Sequence, residues 1–155
     1  MFEKILVPLD GSDHSLRALE IAIQIAKKFG SKITLIHVYS VAVRPVMMSE
    51  PTAPTTIGVP VMTPEEVARV VEAARKSGKR VLEDGKRRVE ANGVDVNTRL
   101  EEGHAVGEIM RLAKEGGYDL IVMGARGISR IREIILGSVS ESVLHHATCP
   151  VLVVK

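Results

Sequence analysis

The chain has 155 residues, with 21 basic and 19 acidic side chains, a formal net charge of +2, and 45% hydrophobic against 26% charged residues. This balance excludes an intrinsically disordered chain and offers no basic surface dedicated to nucleic acid; two Tyr, two Phe and no Trp leave little for stacking bases. No apolar run nears the ~20 residues of a membrane-spanning helix, and the single cysteine, Cys149, excludes an internal disulfide.

The first predicted element is Lys4 to Leu9, KILVPL, a short apolar run rich in branched side chains, as in a strand buried on both faces. Lying between Glu3 and Asp10, it makes a poor secretory signal, so a soluble cytoplasmic protein is expected. Asp10, Gly11, Ser12 and Asp13 form a turn cluster with cap candidates. Leu16, Leu19, Ile23 and Ala26 then recur at helical spacing until Gly30. Lys32 to Tyr39 returns to strand composition, which completes a β-α-β unit and predicts a parallel pair with a right-handed crossover.

Ser40 to Met62 holds Pro45, Pro51, Pro54 and Pro60 with no sustained period and reads as a long loop, either a lid or a surface excursion. Thr63, Pro64, Glu65 and Glu66 form a capping box that opens a long helix. Val67, Val70, Val71, Ala74, Val81, Leu82 and Val89 give that helix an apolar stripe, Gly78 and Gly85 would allow close packing, and Asn92-Gly93 ends it. Its cations Lys79, Arg80, Lys86, Arg87 and Arg88 alternate with Glu83, Asp84 and Glu90, so they read as a solvated face.

Val94 to Leu100 alternates like a half-buried edge strand, and Gly103 to Lys114 is a shorter helix closed by Gly116-Gly117. Asp119 to Met123 is a buried strand, a helix follows from about Ser138 to His146, and Pro150 to Val154 is the last strand. Five strands alternating with four helices predict one α/β domain over residues 1–155, a doubly wound parallel sheet with helices on both faces.

Between the last two strands lies a glycine pattern: Gly124 at a strand end, Gly127, then nine residues to Gly137 and Ser138. Glycine lets backbone pass close to an anion and take positive φ, and a helix starting after Gly137 would aim free N–H groups at the same point. The glycines alone favour the plainer reading, a pair of ordinary turns. A Walker A segment is absent, and Asp10, Ser12 and His14 crowd one turn without a nucleophile elbow, so they read as caps. His145, His146 and Cys149 make a poor metal set, His37 reads as a satisfied core histidine, and His104 has no evident partner.

The start ILVPLDGS, the HVY after the second strand, the MGARG turn, the ILGSVSESVL stretch and the closing CPVLVVK resemble the universal stress protein family over essentially the whole chain. The uninterrupted series Gly124, Gly127, Gly137, Ser138 is similar to that of its ATP-binding subclass, and about 43–62 is a variable insert. The resemblance implies strand order 3-2-1-4-5, with a ligand at the switch point between strands one and four. It implies that Pro8, Leu9 and Asp10 line the nucleoside end, that Val38 offers backbone to adenine, and that Met123 packs nearby. It further implies that Gly124, Gly127, Gly137, Ser138, Val139 and Ser140 surround ribose and phosphates.

Arg126 is the best charged contact for phosphate, whereas Arg130 and Arg132 are equally well solvated if Ile128, Ile131, Ile134 and Ile135 pack the turn by its other face. Asp10 would repel phosphate unless it bonds ribose hydroxyls or a magnesium ion intervenes; otherwise it is a turn-capping residue. The expected cofactor is ATP or another adenine nucleotide, accompanied by Mg, bound by a stress-response regulator with slow or no hydrolysis. The alternatives are a non-nucleotide interaction module of the same family and a weak ATP hydrolase. The resemblance also implies a homodimer through the apolar last strand, Val151 to Val154.

Overall fold

The computed structural model describes residues 1–40, 62–128 and 136–155. Its elements in chain order are β1 (Lys4–Pro8), α1 (Asp13–Phe29), β2 (Lys32–Tyr39), α2 (Pro64–Glu90), β3 (Val96–Glu102), α3 (Ala105–Glu115), β4 (Leu120–Gly124), α4 (Ser138–His146) and β5 (Val151–Val154). The sheet has order β3-β2-β1-β4-β5 and every pairing is parallel, as expected from the alternation of elements and the family resemblance. Most of the long Pro-containing loop, residues 41–61, lies outside the described residues.

Alternation along the strands sorts the core into two layers. Ile5, Val7, Ile33, Leu35, Leu120 and Val122 pack with α1 and the C-terminal half of α2, whereas Leu6, Ile36, Ile121 and Met123 pack with α3 and α4. Because strands buried on both faces leave no polar side, β1 and β4 read as continuous apolar runs. Asp119 is the exception at the margin: its carboxylate accepts from the Glu3 amide at 2.8 Å and the Lys4 amide at 3.3 Å, pinning the start of β1 to the start of β4.

Two expectations shift. The third strand lies two residues further along than read, Val96–Glu102 in place of Val94 to Leu100, because its pairing with β2 begins at Val96 opposite Ile33 and ends with Glu101 and Glu102 opposite Val38 and Tyr39. An edge strand tolerates those carboxylates, since one side of it meets solvent. The stripe expected along α2 is buried only at Gly78, Leu82, Gly85 and Val89, and Val70 is exposed. A helix of 27 residues spans about 40 Å, whereas the eight-residue β2 spans about 26 Å, so the helix must overhang the sheet.

Where α2 does cross the sheet, its glycines set the distance. A Cβ on Gly78 would lie 2.5 Å from His37 Cδ2, and one on Gly85 would lie 2.6 Å from Leu9 Cδ1. Among the described residues, no helix is long and apolar enough to cross a membrane.

Candidate functional site

The order of the sheet reverses between β1 and β4. From β1 the chain crosses through α1 to β2 on one side, and from β4 it crosses through α4 to β5 on the other. The two connections part above the carboxyl ends of these strands, and parting leaves a crevice there. A cavity of about 300 Å³ fills it.

All twelve residues expected at the site line this one cavity. Pro8, Leu9 and Asp10 come from β1 and the turn after it, Val38 from β2, and Met123 and Gly124 from β4. Arg126 and Gly127 come from the loop after β4, and Gly137, Ser138, Val139 and Ser140 from the start of α4. Four further lining residues, Ser15, Ile36, Ala105 and Ile128, were not anticipated. Ile36 had a readable signal, since it sits two residues from Val38 and so on the same face of the strand. Ala105, at the start of α3, had none; only the fold carries it there.

The three glycines of the motif have different surroundings. None has positive φ, contrary to expectation; in this region that conformation belongs to Gly11, at φ 83°, in the turn before α1. A Cβ on Gly124 would meet the carbonyl carbon of His14 at 2.7 Å and the Ser15 amide nitrogen at 2.8 Å, so this glycine admits the first turn of α1 against β4. A Cβ on Gly127 would meet Asp10 Oδ2 at 2.5 Å, so this one admits a carboxylate. Gly137 differs, since the nearest atoms to its Cβ position lie at 3.5 Å, an ordinary contact distance. Among the described residues, no atom takes up the place of its missing side chain.

Asp10 ties the two walls together. Its Oδ1 accepts from the Ser12 amide at 3.0 Å and its Oδ2 from the Ile128 amide at 3.1 Å. Ser12 in turn caps α1 by accepting from the Ser15 amide, and its hydroxyl donates to the Arg126 carbonyl at 3.4 Å. The capping role weighed for this turn is thus filled, chiefly by Ser12. The Asp10 oxygens still hold unused lone pairs, because each ionised carboxylate oxygen can accept more than one bond.

At the opposite wall α4 begins without a side-chain cap. Gly137 is the N-cap, in extended conformation at φ −75° and ψ 157°, and the first helical bond runs from the Glu141 amide to the Gly137 carbonyl. The amides of Ser138, Val139 and Ser140 therefore have no partner inside the helix, and their partial positive charge favours an anion. The Ser140 hydroxyl is already engaged, lying 2.8 Å from both the Ala125 and the Gly137 carbonyl oxygens. Among the described residues that line the cavity, Asp10 is the one acid and Arg126 the one base, and Leu9, Ile36, Val38 and Met123 supply an apolar wall.

The remaining candidates fall elsewhere. His37 Nδ1 bonds the Leu9 carbonyl at 2.7 Å, as a satisfied histidine should. His145 and His146 lie exposed in the last turn of α4, His146 bonding the Ser142 carbonyl, and His104 is the exposed N-cap of α3. Burial pushes the Cys149 thiol up, which disfavours the thiolate a metal would need. Ile128 does not pack as expected: it is 77% exposed. Arg130, Arg132, Ile131, Ile134 and Ile135 lie outside the described residues.

Comparison with known proteins meets this geometry from another direction. The model of the universal stress protein family matches residues 1–155. The universal stress protein YxiE of Bacillus subtilis is 37% identical over 155 residues, covering the whole of both chains. Among solved structures, the universal stress protein UspA of Lactobacillus plantarum shares the fold at a TM-score of 0.81 and 24% identity, over 99% of this chain and 98% of that one. A universal stress protein crystallised in complex with cAMP has a TM-score of 0.65 and 27% identity, over 99% of this chain and 97% of that one.

Proposed function

The chain belongs to the universal stress protein family, and from that membership we propose that its crevice holds an adenine nucleotide, ATP in first place, and that the protein is a stress-response regulator that works by binding it. The observation that carries this reading is the start of α4. Its three amides without helical partners open beside Gly137, whose missing side chain leaves backbone accessible, into a cavity with an apolar wall opposite. A nucleotide has the same division, an anionic end and a flat apolar one. The relative solved with cAMP supports an adenine ligand.

In this reading Pro8, Leu9, Val38 and Met123 receive the nucleoside. Gly124, Gly127, Gly137, Val139 and Ser140 shape the phosphate end, where Ser138 and the Arg126 guanidinium supply donors. Asp10 takes the ribose hydroxyls, or a magnesium ion that draws its other ligands from phosphate and water. Hydrolysis is slow or absent in this reading: among the described residues of the lining, Asp10 is the one carboxylate, its remaining lone pairs are taken by ribose or magnesium, and the Ser15 and Ser140 hydroxyls donate to carbonyls.

Equilibrium dialysis with labelled ATP tests the reading. The protein is expected to bind ATP, and Gly137→Val, which fills the open cradle, is expected to weaken it at least about tenfold. Equal affinity in the two proteins would remove the proposed site. Phosphate release followed over time in the same samples should stay slow; many turnovers within minutes would instead favour an enzyme.

A further inference from the structure

The bonds around Leu9 point to a role for His37 that the family assignment does not contain. Along β2 the main-chain groups alternate in direction. The Ile33 amide and Tyr39 carbonyl face β3, bonding Asp95 and Gly103, whereas the Lys32 amide and Ile36 carbonyl face β1, bonding Glu3 and Leu9. By this alternation the amide and carbonyl of Val38 face β1 as well.

A parallel ladder would continue from the Leu9 amide, bound to Ile36 at 2.8 Å, to a bond between the Leu9 carbonyl and the Val38 amide. Among the described residues that bond is absent. The Leu9 carbonyl instead lies 2.7 Å from His37 Nδ1, and because a carbonyl only accepts, Nδ1 carries the proton. The ring is held in place from behind: α2 crosses it at Gly78, where a Cβ would lie 2.5 Å from Cδ2 and 3.1 Å from Nε2.

We propose that His37 is a positioning residue: by taking the Leu9 carbonyl it ends the β1–β2 ladder one bond early and leaves the Val38 amide and carbonyl facing the crevice as a base-reading edge. This deepens the nucleotide reading and rests on it. A donor beside an acceptor matches the N1 acceptor and amino donor of adenine. Hypoxanthine, which has a protonated N1 and an oxygen at C6, meets the same edge with donor against donor and acceptor against acceptor. His37 thus confers selectivity for adenine over 6-oxopurines without touching the base.

Two measurements on the full chain test this, one of them free of any ligand. In hydrogen exchange the Val38 amide should exchange fast in the wild type, slow on ATP addition, and slow without ligand in His37→Leu, where the Leu9 carbonyl is released to accept it. In equilibrium binding, the wild type should prefer ATP to ITP by about tenfold or more, a preference that His37→Leu should largely lose. His37→Asn, which can place an amide proton near the position of Nδ1, should restore it. A Val38 amide already protected in the ligand-free wild type would overturn the proposal, as would an unchanged ATP-to-ITP ratio in His37→Leu. Failure of the wild type to bind either nucleotide is a different result: it would refute the nucleotide reading and, with it, the selectivity assigned to His37.

Discussion

A methyl group on Gly124 would press on the main chain of His14 and Ser15, at 2.7 and 2.8 Å, and main chain at the start of a packed helix cannot swing aside. Gly124→Ala is therefore expected to cost about 1 to 3 kcal/mol, as overpacking does, seen as a lowered urea midpoint with or without nucleotide. An unchanged midpoint would mean that α1 sits further from β4 than the structure has it. The spacing of Gly124, Gly127 and Gly137 was legible in the sequence, but the reason for each glycine was not. The first two accommodate a helix and a carboxylate that arrive from more than a hundred residues away, while the third leaves its space to whatever enters the cavity. The Asp10 bond to the Ser12 amide fits the capping turn read for it, whereas its bond to the Ile128 amide, 118 residues on, was invisible for the same reason.

Helix α4 shows how an element can give up stability at its end. Its N-cap, Gly137, has no hydroxyl to satisfy the first amides, a position where Ser, Thr, Asp or Asn is commonly found. Gly137→Ser should cap the helix and raise stability by roughly a few tenths of a kcal/mol, while occupying amides proposed to face phosphate and weakening ATP binding. Thermal melting and dialysis on the same variant check both halves; ATP bound as tightly as in the wild type would separate these amides from the ligand. Helix α2 shows the limit of periodicity in the other direction. Its apolar spacing and capping box were legible, and the box is formed, Thr63 accepting from the Glu66 amide and Glu66 from the Thr63 amide. Which half of the stripe would be buried depended on the length of the strands beneath it, and those lie in other segments.

At the scale of the molecule, the sheet has two edges, β3 and β5, and they are unlike. The strand β3 is charged, with Arg99, Glu101 and Glu102 in it, whereas β5 is VLVV with Leu152 37% exposed. An apolar edge to which no further strand pairs among the described residues offers backbone to another chain, and pairing with the same strand of a second copy would close a two-fold dimer. Sedimentation at micromolar concentration is expected to find a dimer, and Leu152→Arg to shift it toward monomer; a monomeric wild type would refute this edge as the interface.

Periodicity and composition determined the α/β class, the nine elements of the described residues and the parallel sheet, because these follow from which side chains each segment must bury by itself. The crevice was reached through the order of the strands, which came from resemblance to a family, since no single segment specifies its neighbour. Only the tertiary structure decided that Ala105 and Ser15 join the lining, that two motif glycines serve packing, and that His37 holds the Leu9 carbonyl. Each of these depends on a distance between residues remote in the chain, and such distances exist only once the sheet has brought its strands side by side.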